Sequence, residues 1–276
     1  MEYRERLPHP ALRPFVRVCW TLTDDGRGGA GAQPILPDGC SELVVHRAHP
    51  FRRITGALDE AQAPLLFFVG QMRQPVLLAP GGAAEAVGLR FQSHGAYALL
   101  GLPQHALVDA IAPADALGLP WLSAALRRAR DAPTSAAASE ALEDALLRRL
   151  AQRTGARDPR VDAAVALVAG SDGAVSVEAA AARAGTSTRH LERLFRDWVG
   201  LGPKALCRVA RFQAAAARVR HEPALPLAAV SADSGYFDQA HMVRDFLALG
   251  GTSPNQMRRG LGRITAAMMM SRAWDD

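Results

Sequence analysis

Cysteine is almost missing from this 276-residue chain: Cys19, Cys40 and Cys207 are odd in number and far apart. That excludes a disulfide framework and a Cys-x-x-Cys metal site, and leaves buried, inert thiols as the expectation. Lysine is scarcer still. Lys204 stands alone among arginines, a bias that together with abundant alanine reads as genomic composition. No apolar run is long enough to span a bilayer. Residues Met1 to Arg6 lead into prolines, not into a signal-like apolar segment, so a cytoplasmic protein with no membrane partner is expected. Enzyme signatures are lacking too, since neither Gly-x-Ser-x-Gly nor a phosphate loop occurs. His46 and His49 are three apart, which on a strand puts them on opposite faces, and no third ligand accompanies them. No catalytic residue, metal or cofactor is therefore expected.

What remains is ordinary in amount, with 49% hydrophobic and 21% charged residues, and enough chain for about two domains. The net charge of +5 is unevenly placed: Arg157 to Asp276 holds 16 basic and 12 acidic residues. Between Arg183 and Arg220 there are 9 basic residues against 2 acidic. A solvated helix face usually mixes both signs, whereas a surface that contacts phosphates needs such an excess.

The same stretch says one thing twice. Ala184-Gly185-Thr186-Ser187-Thr188-Arg189-His190-Leu191-Glu192-Arg193-Leu194-Phe195 is answered by Ser234-Gly235-Tyr236-Phe237-Asp238-Gln239-Ala240-His241-Met242-Val243-Arg244-Asp245-Phe246. In each copy a glycine ends one short helix and an N-cap residue, Ser187 or Asp238, opens the next. Each closes on a glycine corner followed by proline, at Pro203 and Pro254. Helix, tight turn and donor-rich second helix make a helix-turn-helix pattern. The spacing predicts scaffold helices over Val177–Ala184 and from Pro226, second helices over Thr188–Val199 and Gln239–Leu249, and a connecting helix from Pro203 to about Arg220. Leu191, Leu194, Phe195 and Trp198 recur at helical spacing and anchor the first of these, leaving Thr188, Arg189, Glu192, Arg193 and Arg196 outside.

Two such units on one connecting helix resemble the DNA-binding domain of the AraC/XylS family of transcription regulators. The resemblance implies DNA contact through Ser187, Thr188, Arg189, His190, Glu192, Arg193 and Arg196, and through Gln239, Ala240, His241 and Arg244. Arginine can take guanine bidentately and glutamine can take adenine. Glu192 either accepts from a cytosine amine or holds Arg196 or Arg189. Two departures from the family pattern are Gly202, where a capping serine is usual, and Met257, where an aromatic residue is usual.

The first half lacks sustained helical periodicity. Short β-favouring runs (Phe15–Leu22, Glu42–His46, Leu65–Val69, Val76–Leu78, Ala86–Phe91) alternate with turn signals such as Pro37-Asp38-Gly39, which predicts a small antiparallel barrel or sandwich. Asp25–Gln33, rich in glycine, is expected to be a loop. With Pro-Asp-Gly and Gly88-Leu89-Arg90-Phe91, this half resembles the cupin-like sensor domains that precede such DNA-binding domains. Helices follow from His94. The leucines of Ser139–Leu150 (Leu142, Leu146, Leu147, Leu150) form one face, covered either by a second subunit, as in the family, or by the barrel.

The expectation is a multidomain α+β protein. A β-rich, cupin-like domain with a helical extension spans residues 1–153, a linker 154–159, and an all-α double helix-turn-helix domain 160–263. Its implied role is sequence-specific regulation of transcription, with promoter DNA and RNA polymerase as partners, a small-molecule effector and a homodimer as further ones. Alternatives are a cupin-like enzyme, or a DNA-repair methyltransferase fusion, for which the three cysteines offer no metal-ligand or nucleophile context.

Overall fold

The computed structural model describes residues 1–27, 31–54, 60–79, 81–153 and 157–260. Among these residues ten strands come first in the chain: β1 (Glu2–Arg6), β2 (Val16–Asp24), β3 (Gln33–Ile35), β4 (Glu42–His46), β5 (Arg52–Ile54), β6 (Glu60–Gln62), β7 (Leu66–Val69), β8 (Val76–Ala79), β9 (Ala84–Phe91) and β10 (Ile111–Pro113). They form two antiparallel sheets, a six-stranded one ordered β1-β2-β9-β4-β7-β10 and a four-stranded one ordered β3-β8-β5-β6.

The six-stranded sheet is covered on both faces, which is why its central strands read as nearly unbroken apolar runs. Successive side chains point to opposite sides. Val18, Trp20 and Leu22 of β2, Val44 of β4 and Phe67 of β7 pack toward the second sheet. Their neighbours Cys19, Leu43, Val45 and Phe68, with Val87, Leu89 and Phe91 of β9, belong to the core under the helices. Those helices are α1 (Gly95–Leu100), α2 (Pro120–Asp131) and α3 (Ser135–Gln152). Leu142 and Leu146 of α3 are each 1% exposed, because α3 lies on β9, β2 and α2. The leucine face is thus covered by the chain's own barrel. Arg47 ties the layers: its guanidinium donates to the carbonyls of Ala129, Arg130 and Ala132, which end α2 without an intrahelical donor, and its Nε donates to Glu85.

Five strands escaped the sequence pattern. β1 alternates exposed and half-exposed residues, so it carries no apolar signal. β3, β5, β6 and β10 are three residues each, too short for a period to register.

The second half is helical: α4 (Pro159–Gly170), α5 (Val177–Arg183), α6 (Thr188–Trp198), α7 (Pro203–His221), α8 (Leu227–Asp233), α9 (Gln239–Gly250) and α10 (Pro254–Arg259). The expected linker, 154–159, falls between the end of α3 at Gln152 and the start of α4 at Pro159, and residues 154–156 of it lie outside the described ones. The middle of the expected Asp25–Gln33 loop, residues 28–30, lies outside them too. Leu191, Phe195, Phe212, Val230, Met242 and Phe246 are all fully buried, each large side chain contributing about 1.5–3 kcal/mol. The rings of Phe212 and Phe246 meet edge to face at 5.2 Å, joining α7 to α9. Met257 is buried beside Phe212 at the Gly250 corner.

Candidate functional site

Each helix-turn-helix is built by local rules. Gly185 (φ 63°) and Gly235 (φ 71°) both take the left-handed conformation that ends the scaffold helices α5 and α8. Ser187 then caps α6 by accepting from the His190 backbone N–H at 3.3 Å, and Asp238 caps α9 by accepting from that of His241 at 2.6 Å. Both turns therefore present a helix N-terminus and its first polar residues outward. Gly202 opens α7 with no side-chain cap, so the departure from the family pattern does remove one hydrogen bond.

The sequence-predicted residues fall on two open faces. Ser187, Thr188, Arg189, Glu192, Arg193 and Arg196 are exposed on α6, with His190 half-buried among them. Gln239, Ala240 and Arg244 are exposed on α9, with His241 half-buried and stacked edge-on against Tyr236 at 5.2 Å. Arg244 donates back to the Ala240 carbonyl, lying along its own helix. Glu192 has no ion pair among the described residues, and the acidic neighbour of Arg196 is Asp197 at 3.9 Å. On this face it is His190 that meets arginines, though not Arg189 or Arg196. Its ring nitrogens meet Arg193 Nη2 at 2.9 Å and Arg160 Nη1 at 3.1 Å. A guanidinium only donates, and a neutral imidazole accepts at one nitrogen, so the ring can serve only one of the two arginines at a time. Arg160, at the start of α4, was missed in the sequence because it lies 30 residues from His190; only the packing of α4 on α6 brings it there.

The two units are held in one frame by α7, whose 19 residues span roughly 28 Å at 1.5 Å each. Arg208 of α7 donates to the buried Asp245 of α9 at 2.6 Å. Arg211 donates to the Gly173 carbonyl and lies over the Tyr236 ring.

The opposite sides of α6 and α7 rest on the first domain. Tyr97 of α1 packs on Trp198 with ring centres 4.5 Å apart and planes tilted by 40°, and His105 pairs with Asp197 at 3.3 Å. His94 meets Asp162 of α4 at 3.0 Å. The Pro37-Asp38-Gly39 turn touches α7, with Gln213 donating to the Pro37 carbonyl at 2.5 Å and Leu206 against Gly39.

That turn also borders a second feature, a cavity of about 100 Å³ between the two sheets. Its wall is mostly apolar, including Trp20, Leu22, Val44, Phe51, Phe67 and Ile111; Tyr3, Asp38, Glu42 and His46 supply the polar groups. Arg90 stands behind one end, 2% exposed, with Nε 2.6 Å from Glu42 and 3.3 Å from Asp38, and Nη1 3.3 Å from Glu5. Burial pushes the Glu42 carboxyl up against the opposing pull of Arg90. Burial likewise pushes the Cys19 and Cys40 thiols up to about 12, which makes them the inert thiols expected. His46 is lowered to about 4 by burial, and its Nδ1 bonds the Pro64 carbonyl, while His49 is exposed beside the Ala83 carbonyl.

A β-rich domain enclosing a cavity, followed by paired helix-turn-helix units on one helix, defines a DNA-binding transcription regulator. Residues 180–260 match a family described as helix-turn-helix domain, of the AraC type, and residues 4–113 match a domain of unknown function (DUF6597). Residues 180–260 thus carry a helix-turn-helix domain of the kind found in AraC-type regulators. No curated protein matches it in sequence. Among solved structures it is similar to the C-terminal domain of AraT, a response regulator from Geobacillus stearothermophilus (26% identity, 37% of this chain and 85% of that one, TM-score 0.35). It is also similar to the xylose-binding transcription activator XylR (18%, 44% and 39%, TM-score 0.33), and to ToxT from Vibrio cholerae (9%, 95% and 99%, TM-score 0.47). Among the described residues no helix is long and apolar enough to cross a membrane.

Proposed function

We propose that one copy of this cytoplasmic regulator docks both recognition helices on one face of a promoter, about one helical turn or ~10 bp apart. Arg189, Arg193 and Arg196 with Thr188 serve one segment; Gln239, Ala240, His241 and Arg244 serve the other. Ser187 and the helix N-termini hold phosphates, and Arg160 joins them beside His190. The observation that carries this is the pair of exposed, donor-rich faces left open while the backs of α6 and α7 are packed away. RNA polymerase is the partner such a regulator acts on. A second copy, where one binds, docks elsewhere than on Leu142 and Leu146, which are buried. The protein acts by binding, without catalysis.

The barrel cavity is the seat of a small-molecule effector. Supporting this, Asp38 borders the cavity while Pro37 and Gly39 beside it touch α7, so a ligand that shifts the turn shifts the frame of both recognition helices. The domain boundary falls between the end of α3 and Pro159. Residues 157–276 produced alone should therefore fold and bind DNA; a fragment that folds without binding, or fails to fold, refutes that boundary. Genome-wide mapping of bound sites should return a bipartite sequence, and absence of any sequence preference would overturn the DNA reading. For the effector, Ile111→Trp puts a larger side chain into the cavity wall, since Ile111 lines it and is half-buried. It should abolish the change in DNA affinity that a cell metabolite extract produces in the native protein. A response that survives it would place the effector elsewhere.

A further inference from the structure

The cavity-facing row of the six-stranded sheet is graded in polarity. Glu42 and Arg90 are paired across β4 and β9, followed by Val44 and Gly88, then by His46 and Ala86. At the first end three carboxylates, Glu5, Asp38 and Glu42, share the guanidinium of Arg90. The second guanidinium nearby is Arg17, whose Nη1 points to the Cys40 sulfur at 3.2 Å. Three carboxyl groups thus converge on the one Arg90 guanidinium. Asp38 and Glu42 themselves line the cavity, whereas Arg90 stands behind them. A charge in such a low-dielectric place is costly unless countered.

A second, independent feature lies in the same wall. The Trp20 indole lies flat across Gly88, where a Cβ would come within 2.3 Å of the ring, so only glycine leaves room for it. Trp20 is 7% exposed, it lines the cavity, and its Nε1 donor has no hydrogen-bond partner among the described residues. A buried donor of that kind is normally satisfied.

Resting on the effector reading above, we propose that the cavity takes an amphipathic organic cation. Its ammonium or amidinium group meets Asp38 and Glu42, its apolar ring-bearing body lies among Trp20, Phe51 and Phe67, and a hydrogen-bond acceptor on it meets the Trp20 indole. The aromatic rings favour a cation further through their π faces. An organic acid would be repelled by the same carboxylates, and a polyol would find too few polar partners along the apolar wall. The cationic head sits next to the Pro37-Asp38-Gly39 turn, where α7 makes contact.

The test is calorimetric titration of the full chain with 4-phenylbutylamine, 4-phenylbutanol and 4-phenylbutanoate, which share a body and differ in the head group. The amine should bind at least tenfold more tightly than the alcohol, and the acid more weakly than both. Glu42→Gln should bring the amine down to the alcohol's affinity and leave the alcohol unchanged. Asp38→Asn, on a partly exposed turn, makes the same comparison where the first variant fails to fold. For the acceptor, 2-phenoxyethylamine should bind more tightly than 3-phenylpropylamine to the native protein and equally to Trp20→Phe. The alcohol or the acid binding as tightly as the amine would overturn the cationic class while leaving an effector site in place. Binding of none of the three would also overturn it, and the effector reading would then stand or fall on the Ile111→Trp experiment, which presumes no ligand.

Discussion

Arg208→Met should destabilise the second helix-turn-helix unit far more than Asp245→Asn, although both remove the same ion pair. The reason is where each charge sits. The Asp245 side chain is 3% exposed and the Arg208 side chain 46% exposed, with 2.6 Å between them. Without Arg208, a carboxylate remains in the core between α7 and α9 with no other ion-pair partner among the described residues, a situation that costs about 3–5 kcal/mol. With asparagine at 245, the buried charge is gone, an amide oxygen still accepts from Arg208, and the guanidinium reaches water; about 1 kcal/mol is expected. Hydrogen–deuterium exchange of peptides covering α8 and α9 reports this local opening in the full chain. The methionine variant should exchange there on the order of 30-fold or more faster than the asparagine variant, the factor that ~2–4 kcal/mol corresponds to. Equal exchange, or faster exchange in the asparagine variant, would refute the reasoning that burial on the acid side decides the cost.

Arg47→Met strips three carbonyls at the end of α2 of their donor, so it should lower the stability of the first domain by about 2–3 kcal/mol in denaturant titration. His46 is held neutral with its pKa lowered to about 4. Its contribution is therefore complete above its ordinary value and lost as pH falls below it, by about 2 kcal/mol at pH 5. Urea midpoints for the first domain at pH 7 and pH 5 should show this loss, and His46→Gln should lack its share. DNA affinity should fall roughly 10³-fold or more between low and moderate salt if several phosphates are contacted, and a flat titration would exclude that surface.

The second half of the fold was legible almost residue by residue. Gly185 and Gly235, the caps Ser187 and Asp238, and the corners before Pro203 and Pro254 are local signals, and each fixes one boundary from its immediate neighbours. The first half was legible only as a class. A strand such as β5 gains its identity from pairing with β8, some 24 residues away, and nothing within Arg52–Ile54 announces it. The leucines of α3 show the same limit: their period named a face but not its partner, which proved to be the barrel. The exposed members of the DNA face could be listed from helical spacing alone. Arg160 beside His190, the Tyr97–Trp198 contact and the Asp38–Glu42–Arg90 cluster could not, because each joins segments that only the tertiary fold brings together.

Two separately docked helices are expected to read two DNA segments. Selecting preferred sequences from a random DNA pool for the native protein, Arg193→Ala and Arg244→Ala tests it most directly. Native protein should return two conserved segments with centres ~10 bp apart. Arg193→Ala should relax one segment at a cost of ~1–3 kcal/mol where that arginine reads a guanine. Arg244→Ala should relax the other, or weaken all sequences evenly where it holds a phosphate. Loss of preference at the same base pairs in both variants would contradict two docked helices, and unchanged affinity and preference in both would mean that neither arginine faces DNA.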